Sequence, residues 1–532
     1  MQRAATGLAS VCAGVLRDGA GGVYGARVVV LAGTGDNGGD ALYAGERLAR
    51  RGAAVVAVQA GARMHAEAAR ALSGAGGRIV AVVPSPDPND HPDATRVDLG
   101  GPAGQPGNGG QDRGGQDRYD VGHAVRSAIG HADLIIDGML GIGGKGGLRE
   151  PYATLAQLAA NARNAVTVAV DLPSGIDADS GAVAGPAVRA DVTVTFGALK
   201  PGLLIDPGAG HAGVVEFVDI GLGPYLEGPP EASAPQARDI AAMLPRPTAE
   251  SDKYRRGVLG LLTGSDRYTG AALLSTGGAV RGGAGMVRLV TSPGAATAVR
   301  PVHPEVVITE LSGETRIRSG SSAFDPSDGD MRFPEGVGRV QAWAVGSGMG
   351  TDDAAARRLA ALLATSLPVL IDADGLTLLA GHRGLLPRPA PTLLTPHAGE
   401  LGRLLGADPA DVEARRLEYA RRAAAELGAC VLLKGSTTVI APPDGSDPVL
   451  VNTTGTPWLA TAGSGDVLAG LAGALLAQGL LPPQAAISAA YLHGLAARFA
   501  AREVTEGEAP IGASDVVRAL APAFRAVSAQ IA

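Results

Sequence analysis

The run Thr461-Ala-Gly-Ser-Gly-Asp466 leads straight into the apolar stretch Val467-Leu-Ala-Gly-Leu-Ala-Gly-Ala-Leu-Leu476. Small residues ahead of a helix leave backbone N–H groups free to converge on one anion. Asp466 stands at the start of that helix, beside whatever anion is held. Amides that grip a phosphoryl group, next to a carboxylate that takes a proton from a hydroxyl, are the minimal kit for phosphoryl transfer. Taken alone, Asp466 has a plainer reading as a helix cap.

Four more loops in the second half carry chemistry-bearing residues. Gly264-Ser-Asp-Arg-Tyr-Thr-Gly-Ala-Ala272 and Gly346-Ser-Gly-Met-Gly350 each follow an apolar run, with room for close approach by a substrate. Thr395-Pro-His-Ala-Gly-Glu400 sets His397 and Glu400 beside a strand end. Lys434-Gly-Ser-Thr-Thr438 offers a cation, hydroxyls and glycine amides to phosphates. Each has a bland alternative: a histidine bonded to backbone, a solvated lysine, glycines serving tight turns. Together, at successive strand ends, they point to one crevice.

The first half holds a second set. Gly33-Thr-Gly-Asp-Asn-Gly-Gly-Asp40 ends a strand and begins a helix, a phosphate-cradle pattern that departs from Gly-x-Gly-x-x-Gly because Asn37 and Asp40 intrude. Asp137-Gly-Met-Leu-Gly-Ile-Gly-Gly-Lys-Gly-Gly147 and Asp171-Leu-Pro-Ser-Gly-Ile-Asp177 are two further loops bearing carboxylates. Asp137 and Asp171 also read as helix caps.

The elements that must position these loops are short, continuously apolar strands alternating with helical patterns. Arg27–Ala32, Ala54–Val58, Leu134–Asp137, Val166–Asp171 and Asp191–Phe196 read as strands in the first half, and Asp40–Arg51 as a helix. Val258–Thr263, Met286–Val290, Ala342–Val345, Val369–Asp372, Thr392–Leu394 and Cys430–Leu433 read as strands in the second. Continuous rather than alternating apolar strands predict parallel sheets covered on both faces, with ligands at the carboxyl ends. Ser85–Tyr119, rich in Pro, Gly, Asp and Gln, reads as a flexible surface insertion. The pattern lapses again around Gly228-Pro-Pro-Glu-Ala-Ser-Ala-Pro235, which marks a domain boundary.

A length of 532 residues calls for more than one core. The net charge of −7, without a basic block, recommends neither nucleic acid nor an anionic membrane. Two distant cysteines, Cys12 and Cys430, fit a reducing compartment rather than a disulfide framework. No stretch approaches the ~20 apolar residues of a bilayer span. Leu8–Leu16 faintly imitates a signal peptide, but a nucleotide-type strand follows at once, and the cytoplasm is the expected location.

In the second half, Gly264-Ser…Tyr268-Thr-Gly-Ala271, Gly346-Ser-Gly-Met-Gly350, Asp372-Ala-Asp-Gly-Leu376, Thr395-Pro-His-Ala-Gly-Glu400, Lys434-Gly-Ser-Thr-Thr438 and Asn452-Thr-Thr-Gly-Thr-Pro457…Gly463-Ser-Gly-Asp466 resemble the ADP-dependent NAD(P)H-hydrate dehydratase family, over about 238–530. The resemblance implies a ribokinase-like α/β/α domain that dehydrates the S hydrate of NADH or NADPH, using ADP and releasing AMP and phosphate. It implies Asp466 as the base, and Ala271, Gly348, His397 and Asp466 facing the hydrate. Lys434, Gly435, Ser436, Thr437, Thr438 and Gly465 would line the ADP site. Phosphoryl-transfer chemistry adds an expectation of Mg2+ on the diphosphate.

The three first-half loops, with Thr193-Val-Thr-Phe196 and Lys200-Pro-Gly202, resemble the NAD(P)H-hydrate epimerase family, over about 1–222. A Rossmann-like three-layer α/β/α domain interconverting R and S hydrates is thereby implied. Its hydrate-binding residues would be Asp36, Asn37, Gly38, Gly39, Asp40, Gly141, Ile142, Gly143, Gly144, Lys145, Gly146, Gly147 and Asp171. Potassium would be held by Asn37, Asp137 and Ser174, whose oxygens are hard ligands, and Asp137 is the expected proton-transferring group. The expected layout is 1–222 epimerase, 223–237 linker and 238–532 dehydratase, in a homo-oligomer. Asp36 stands where the family carries Asn, and Met1-Gln-Arg-Ala-Ala-Thr-Gly7 looks like the middle of the family's first helical region. Two other readings remain open: a ribokinase-like small-molecule kinase fused to an unrelated domain, or a non-catalytic nucleotide-binding or oligomerisation module in the first half.

Overall fold

The computed structural model describes residues 1–61, 63–84, 119–311, 337–445, 447–502 and 507–531. The chain divides into two compact units, Met1–Leu203 with Gly208–Leu226, and Leu204–Pro207 with Glu227–Ala532. All but the last residue of the Ser85–Tyr119 insertion lies outside the described residues.

Among the described residues, the main sheet of the first unit has seven strands: β1 (Arg27–Ala32), β2 (Ala54–Gln59), β3 (Arg78–Ala81), β4 (Leu134–Gly138), β5 (Val166–Val170), β6 (Val192–Phe196) and β7 (Val214–Val218). They lie in the order β3-β2-β1-β4-β5-β6-β7, with every pairing parallel. Successive side chains of a strand point to opposite faces, so β1 feeds two cores. Val28, Val30 and Ala32 pack beneath α1 (Gln2–Gly19) and α2 (Asp36–Arg50), while Val29 and Leu31 pack against Val125, Ile129 and Leu155. The Leu8–Leu16 stretch supplies the buried stripe of α1.

Helix α2 begins at Asp36, four residues before the sequence pattern predicts. Glycines at 38 and 39 disguise a first turn as a loop. Close packing requires the small residue: a Cβ on Gly38 would lie 2.4 Å from the Gly33 carbonyl oxygen. Asp36, Asn37 and Asp40 therefore project from a helix end.

The second unit carries ten strands: β8 (Ala232–Ser233), β9 (Val258–Leu262), β10 (Met286–Thr291), β11 (Val307–Glu310), β12 (Ala342–Val345), β13 (Val369–Ile371), β14 (Thr392–Leu394), β15 (Cys430–Leu433), β16 (Thr438–Ala441) and β17 (Val449–Asn452). Their order is β8-β17-β16-β15-β14-β13-β12-β9-β10-β11. Only the pairings of β16 with β15 and β17 are antiparallel. Apolar cores lie on both faces, one around Leu259, Leu261 and Leu471, the other around Leu262, Val345 and Leu401.

Two helices that carry site residues, α3 (Thr269–Arg281) and α5 (Ser464–Ala477), cross with almost no space between backbones. A methyl group on Gly470 would lie 1.9 Å from the Ser275 carbonyl oxygen, and one on Gly278 would lie 2.3 Å from that of Val467. Alanine ordinarily favours a helix over glycine, but here the overlap outweighs propensity. Gly470→Ala is expected to lower the stability of this unit by about 1–3 kcal/mol, read as a reduced urea midpoint. An unchanged or raised midpoint would show that the helices can separate at no cost.

Candidate active sites

In the second unit, the loops after β9, β12, β13, β14 and β15 meet the start of α5. Glycines make the meeting possible. A Cβ on Gly346 would fall 1.8 Å from the Asp372 carbonyl oxygen, and Gly348, at φ +62°, brings the site within contact of Ala271 and Tyr268. Ala373, between Asp372 and Asp374, holds φ 47° with ψ −115°, a positive-φ conformation outside the left-handed helical well that costs a non-glycine residue on the order of 1–3 kcal/mol.

Charge is concentrated here. Lys434 Nζ lies 2.7 Å from Asp372 Oδ1 and 3.6 Å from a Glu400 oxygen. Asp372, almost fully buried, also accepts hydrogen bonds from Thr395 Oγ1 at 2.8 Å and Ser347 Oγ at 3.3 Å. Burial works against the charge on Lys434, yet Asp372 and Glu400 hold its pKa above the ordinary lysine value. Asp466, in the first turn of α5, is pushed up to about 6, first by burial and then by the charge of Asp372. A hydrogen bond with Ser347 and the charge of Lys434 pull it back. Gly465 belongs to the same cluster, since a Cβ there would lie 3.5 Å from Lys434 Nζ. A carboxyl that titrates near 6, beside a helix N-terminus and a half-buried cation, can exchange a proton next to a bound anion.

Other expected residues fall into place differently. His397 caps α4 (Ala398–Leu405): its Nδ1 accepts from Gly399 N at 3.0 Å while Glu400 accepts from His397 N at 2.8 Å. The imidazole thus has a structural task as well as an exposed edge. Lys434 to Thr437 form a turn, and Thr438 already belongs to β16, paired with Asn452.

Three residues that the motifs did not single out support this crevice. Arg416, 1% exposed, donates from Nη2 to the carbonyls of Lys434 at 2.6 Å and Leu433 at 3.4 Å, and pairs through Nη1 with Glu413 at 2.7 Å. A Cβ on Gly435 would lie 2.1 Å from that guanidinium, so the glycine and the arginine require one another. Asp206, on the four-residue segment that clusters with this unit, accepts from Thr437 N at 2.8 Å and from Ser436 Oγ. His493, buried on α6 (Pro482–Ala501), is pulled down to about 4 by burial and stays neutral. Arginine in an apolar–polar alternation gives no sequence signal of the carbonyls it will meet.

In the first unit, the ends of β1, β4 and β5 converge in the same way. Asn37 Nδ2 donates to the carbonyls of Leu140 at 3.2 Å and Val170 at 2.8 Å. Asp137 is wholly buried; it accepts from Ser174 Oγ at 2.7 Å, Ser174 N at 2.8 Å and Met139 N at 3.2 Å. Burial pushes its pKa up to about 6 against those bonds. Asn37, Asp137 and Ser174 therefore come together around the Leu140 carbonyl, an oxygen-rich nest. Both Asp137 oxygens are engaged, by Ser174 and Met139. Among the described residues, no group of three or more His, Cys, Asp or Glu side chains is placed to hold a metal ion.

Asp171 sits at φ 70° after β5. It pairs with Lys200 and accepts from Thr195 Oγ1 and Phe196 N, each at 3.2 Å. Gly141 packs on the Asn37 side chain, where a Cβ would lie 2.8 Å away. Within the Gly141–Gly147 loop, Ile142, Gly143, Gly144 and Gly146 surround an exposed Lys145 that pairs with Asp177 at 3.1 Å and Asp179 at 3.2 Å. A Cβ on Gly147 would lie 2.7 Å from Gly185. Asp36 and Gly39 stand with Asn37, Gly38 and Asp40 in the first turns of α2.

Residues 259–518 match the family described as NAD(P)H-hydrate dehydratase, and residues 1–202 the family described as YjeF-related protein N-terminus. The bifunctional NAD(P)H-hydrate repair enzyme Nnr of Mycobacterium leprae (strain TN) is 42% identical over 531 residues, covering 99% of this chain and 94% of its own. The enzyme of the same name from Moorella thermoacetica is 38% identical over 73% of this chain and 72% of its own. Among solved structures, the ADP/ATP-dependent NAD(P)H-hydrate dehydratase from Bacillus subtilis, co-crystallized with ATP/Mg2+, is 30% identical with a TM-score of 0.46, covering 55% of this chain and 97% of that one.

Arg416 yields a test of the crevice. In Arg416→Lys the carbonyls of Leu433 and Lys434 lose a planar, multidentate donor. Hydrogen bonds to charged groups contribute about 1.5–3 kcal/mol each, so ADP affinity measured calorimetrically is expected to fall at least tenfold. Unaltered affinity would remove Arg416 as the support of the Lys434–Thr437 turn.

Proposed function

The chain belongs to the bifunctional NAD(P)H-hydrate repair enzyme family, and from that premise we propose how its own residues divide the two reactions. It is an enzyme that repairs hydrated NADH and NADPH, with a nucleotide-dependent dehydratase in the second half and an epimerase in the first.

For dehydration, ADP lies along Lys434, Gly435, Ser436, Thr437 and Thr438, with Gly465 at the transferring phosphoryl. The hydrate lies against Ala271, Gly348 and the exposed edge of His397, its ring hydroxyl toward Asp466. Asp466 takes the hydroxyl proton as the phosphoryl group moves from ADP to that oxygen, leaving AMP. Phosphate is a far better leaving group than hydroxide, so elimination restores the ring double bond. The amides at the start of α5 stabilise the charge on the transferring group, an electrostatic role usually worth several kcal/mol. Lys434, kept charged by Asp372 and Glu400, adds a fixed cation. Asp372 and Asp374 suit an Mg2+ ion carried in on the diphosphate, which would offset phosphate charge. The observation that carries this reading is the cluster of half-buried Asp466 and Lys434 around buried Asp372 at a helix N-terminus.

In the first unit, hydrate binds along Asp36–Asp40, Gly141–Gly147 and Asp171. The hard oxygens of Asn37, Asp137 and Ser174 fit potassium, whose charge would hold the three loops together. A reducing, cytoplasmic location fits two buried free cysteines. Self-association into a homo-oligomer is checked by light scattering at working concentration.

With a mixture of R and S NADPH hydrates, ADP and Mg2+, absorbance at the reduced-nicotinamide band should recover fully, faster than spontaneous epimerisation allows. Recovery of the S fraction alone would leave the first unit without epimerase activity. Failure with both ADP and ATP would favour a kinase of another small molecule. Asp466→Asn is expected to cut S-hydrate dehydration by about 100-fold or more while ADP binding persists; near-normal turnover would overturn the role of Asp466. Because Asp466 acts as carboxylate and titrates near 6, turnover should rise with pH through about 6 and then level.

A further inference from the structure

Helix α2 presents its N-terminus to the first unit's candidate site, and one polar atom there has no partner. Asp40 is 7% exposed, and its Oδ1 is buried without any hydrogen bond. Such an orphan is costly, because a buried polar group that makes no hydrogen bond has lost its water and gained nothing in return. Its neighbours offer no relief. Asp36, on the same helix, and Asp171, after β5, face it as like charges, while the amino group of Met1 and, more weakly, His65, before the helix Ala66–Gly74, face it as opposite ones. The Asp171 carboxylate is already committed to Lys200, Thr195 and Phe196. Asp137 has both oxygens engaged. The Asp171 bonds all fall on its Oδ1, so Asp40 contrasts with Asp137 in keeping an unpartnered oxygen, and with Asp171 in having no lysine bonded to it.

We propose that Asp40 is the catalytic acid and base of hydrate epimerisation, meeting the substrate hydroxyl with its unpartnered Oδ1. The inference rests on the epimerase reading of this unit. Water added across an enamine leaves the hydroxyl on the carbon next to the ring nitrogen. The neutral Asp40 carboxyl donates its proton to that hydroxyl as the C–O bond breaks, releasing water. The nitrogen lone pair fills the gap as a C=N bond, giving a cationic ring. A second water then adds to the opposite face, the C=N electrons return to nitrogen, and the Asp40 carboxylate takes the surplus proton. Nothing is oxidised or reduced. Asp36, Asp171 and ionised Asp40 surround the cationic ring with negative charge, which stabilises that intermediate over a neutral alternative. Burial and the nearby acids push the Asp40 pKa up to about 6, so its neutral form is accessible near neutrality.

The test follows R-to-S conversion of NADPH hydrate by the full chain without ADP, against the spontaneous rate. Asp40→Asn keeps the shape but carries no proton in this range. Its kcat should fall by about 100-fold or more, with KM within a few-fold and an unchanged circular dichroism spectrum, and Asp40→Glu should restore part of the loss. Conversion by the unaltered chain in 18O-labelled water should place one label per turnover on the ring carbon, because the departing water cannot add to the opposite face. An Asp40→Asn chain within about threefold of the original, or product without label, would overturn the proposal while leaving the epimerase reading intact. No acceleration by the unaltered chain would overturn both. If Asp40→Asn does not fold, Asp40→Ser is measured in its place against the same threefold limit.

Discussion

A parallel strand buried on both faces has only its ends exposed, and that constraint organises each unit of this protein. A connection between parallel strands must return across the sheet, commonly through a helix, so each parallel strand delivers a loop to the same edge. The loops after β1, β4 and β5 in the first unit, and those after β9, β12, β13, β14 and β15 in the second, are consequences of that geometry. Chemistry collects there because backbone amides at helix starts and side chains at strand ends face the same space. Without continuous apolar strands such as Val258–Leu262 and Leu134–Gly138, all wholly buried, the loops would have no common edge.

Glycine turns that shared edge into working distances. Gly346 against the Asp372 carbonyl, Gly348 against Ala271, and Gly470 against Ser275 each tolerate no Cβ. The three together bring the β12 loop, the start of α3 and the start of α5 to one point. In the first unit Gly33, Gly38 and Gly138 do the same, with Gly33 facing the Met139 carbonyl and Gly138 facing Ala41 and Asn37. The abundance of glycine is therefore a packing requirement of close backbones as much as a turn requirement.

The two sites hold their acids in opposite ways. In the second unit Asp372 and Glu400 flank Lys434 and keep it charged, while Asp466 is left near neutrality by burial and by its acidic neighbours. In the first unit both oxygens of Asp137 are bonded by Ser174 and Met139, one oxygen of Asp171 is paired with Lys200, and Asp40 Oδ1 has no partner. An unpartnered carboxyl oxygen beside bonded ones is a way for environment to divide roles among identical side chains.

Local sequence determined the strands, the glycine turns and the reactive residue types, because apolar runs and backbone conformations depend on a few adjacent residues. It therefore made the α/β class, the Thr461–Asp466 loop and the Lys434–Thr438 turn legible. It misplaced the start of α2, because Gly38 and Gly39 look like loop residues until the Gly33 carbonyl is packed against them. It could not find Arg416, whose significance lies in carbonyls seventeen and eighteen residues away. Nor could it rank Asp40, Asp137 and Asp171, three acids with similar surroundings in sequence. Only the tertiary structure decides which of them is satisfied, because hydrogen-bond partners and burial come from strands and loops distant along the chain.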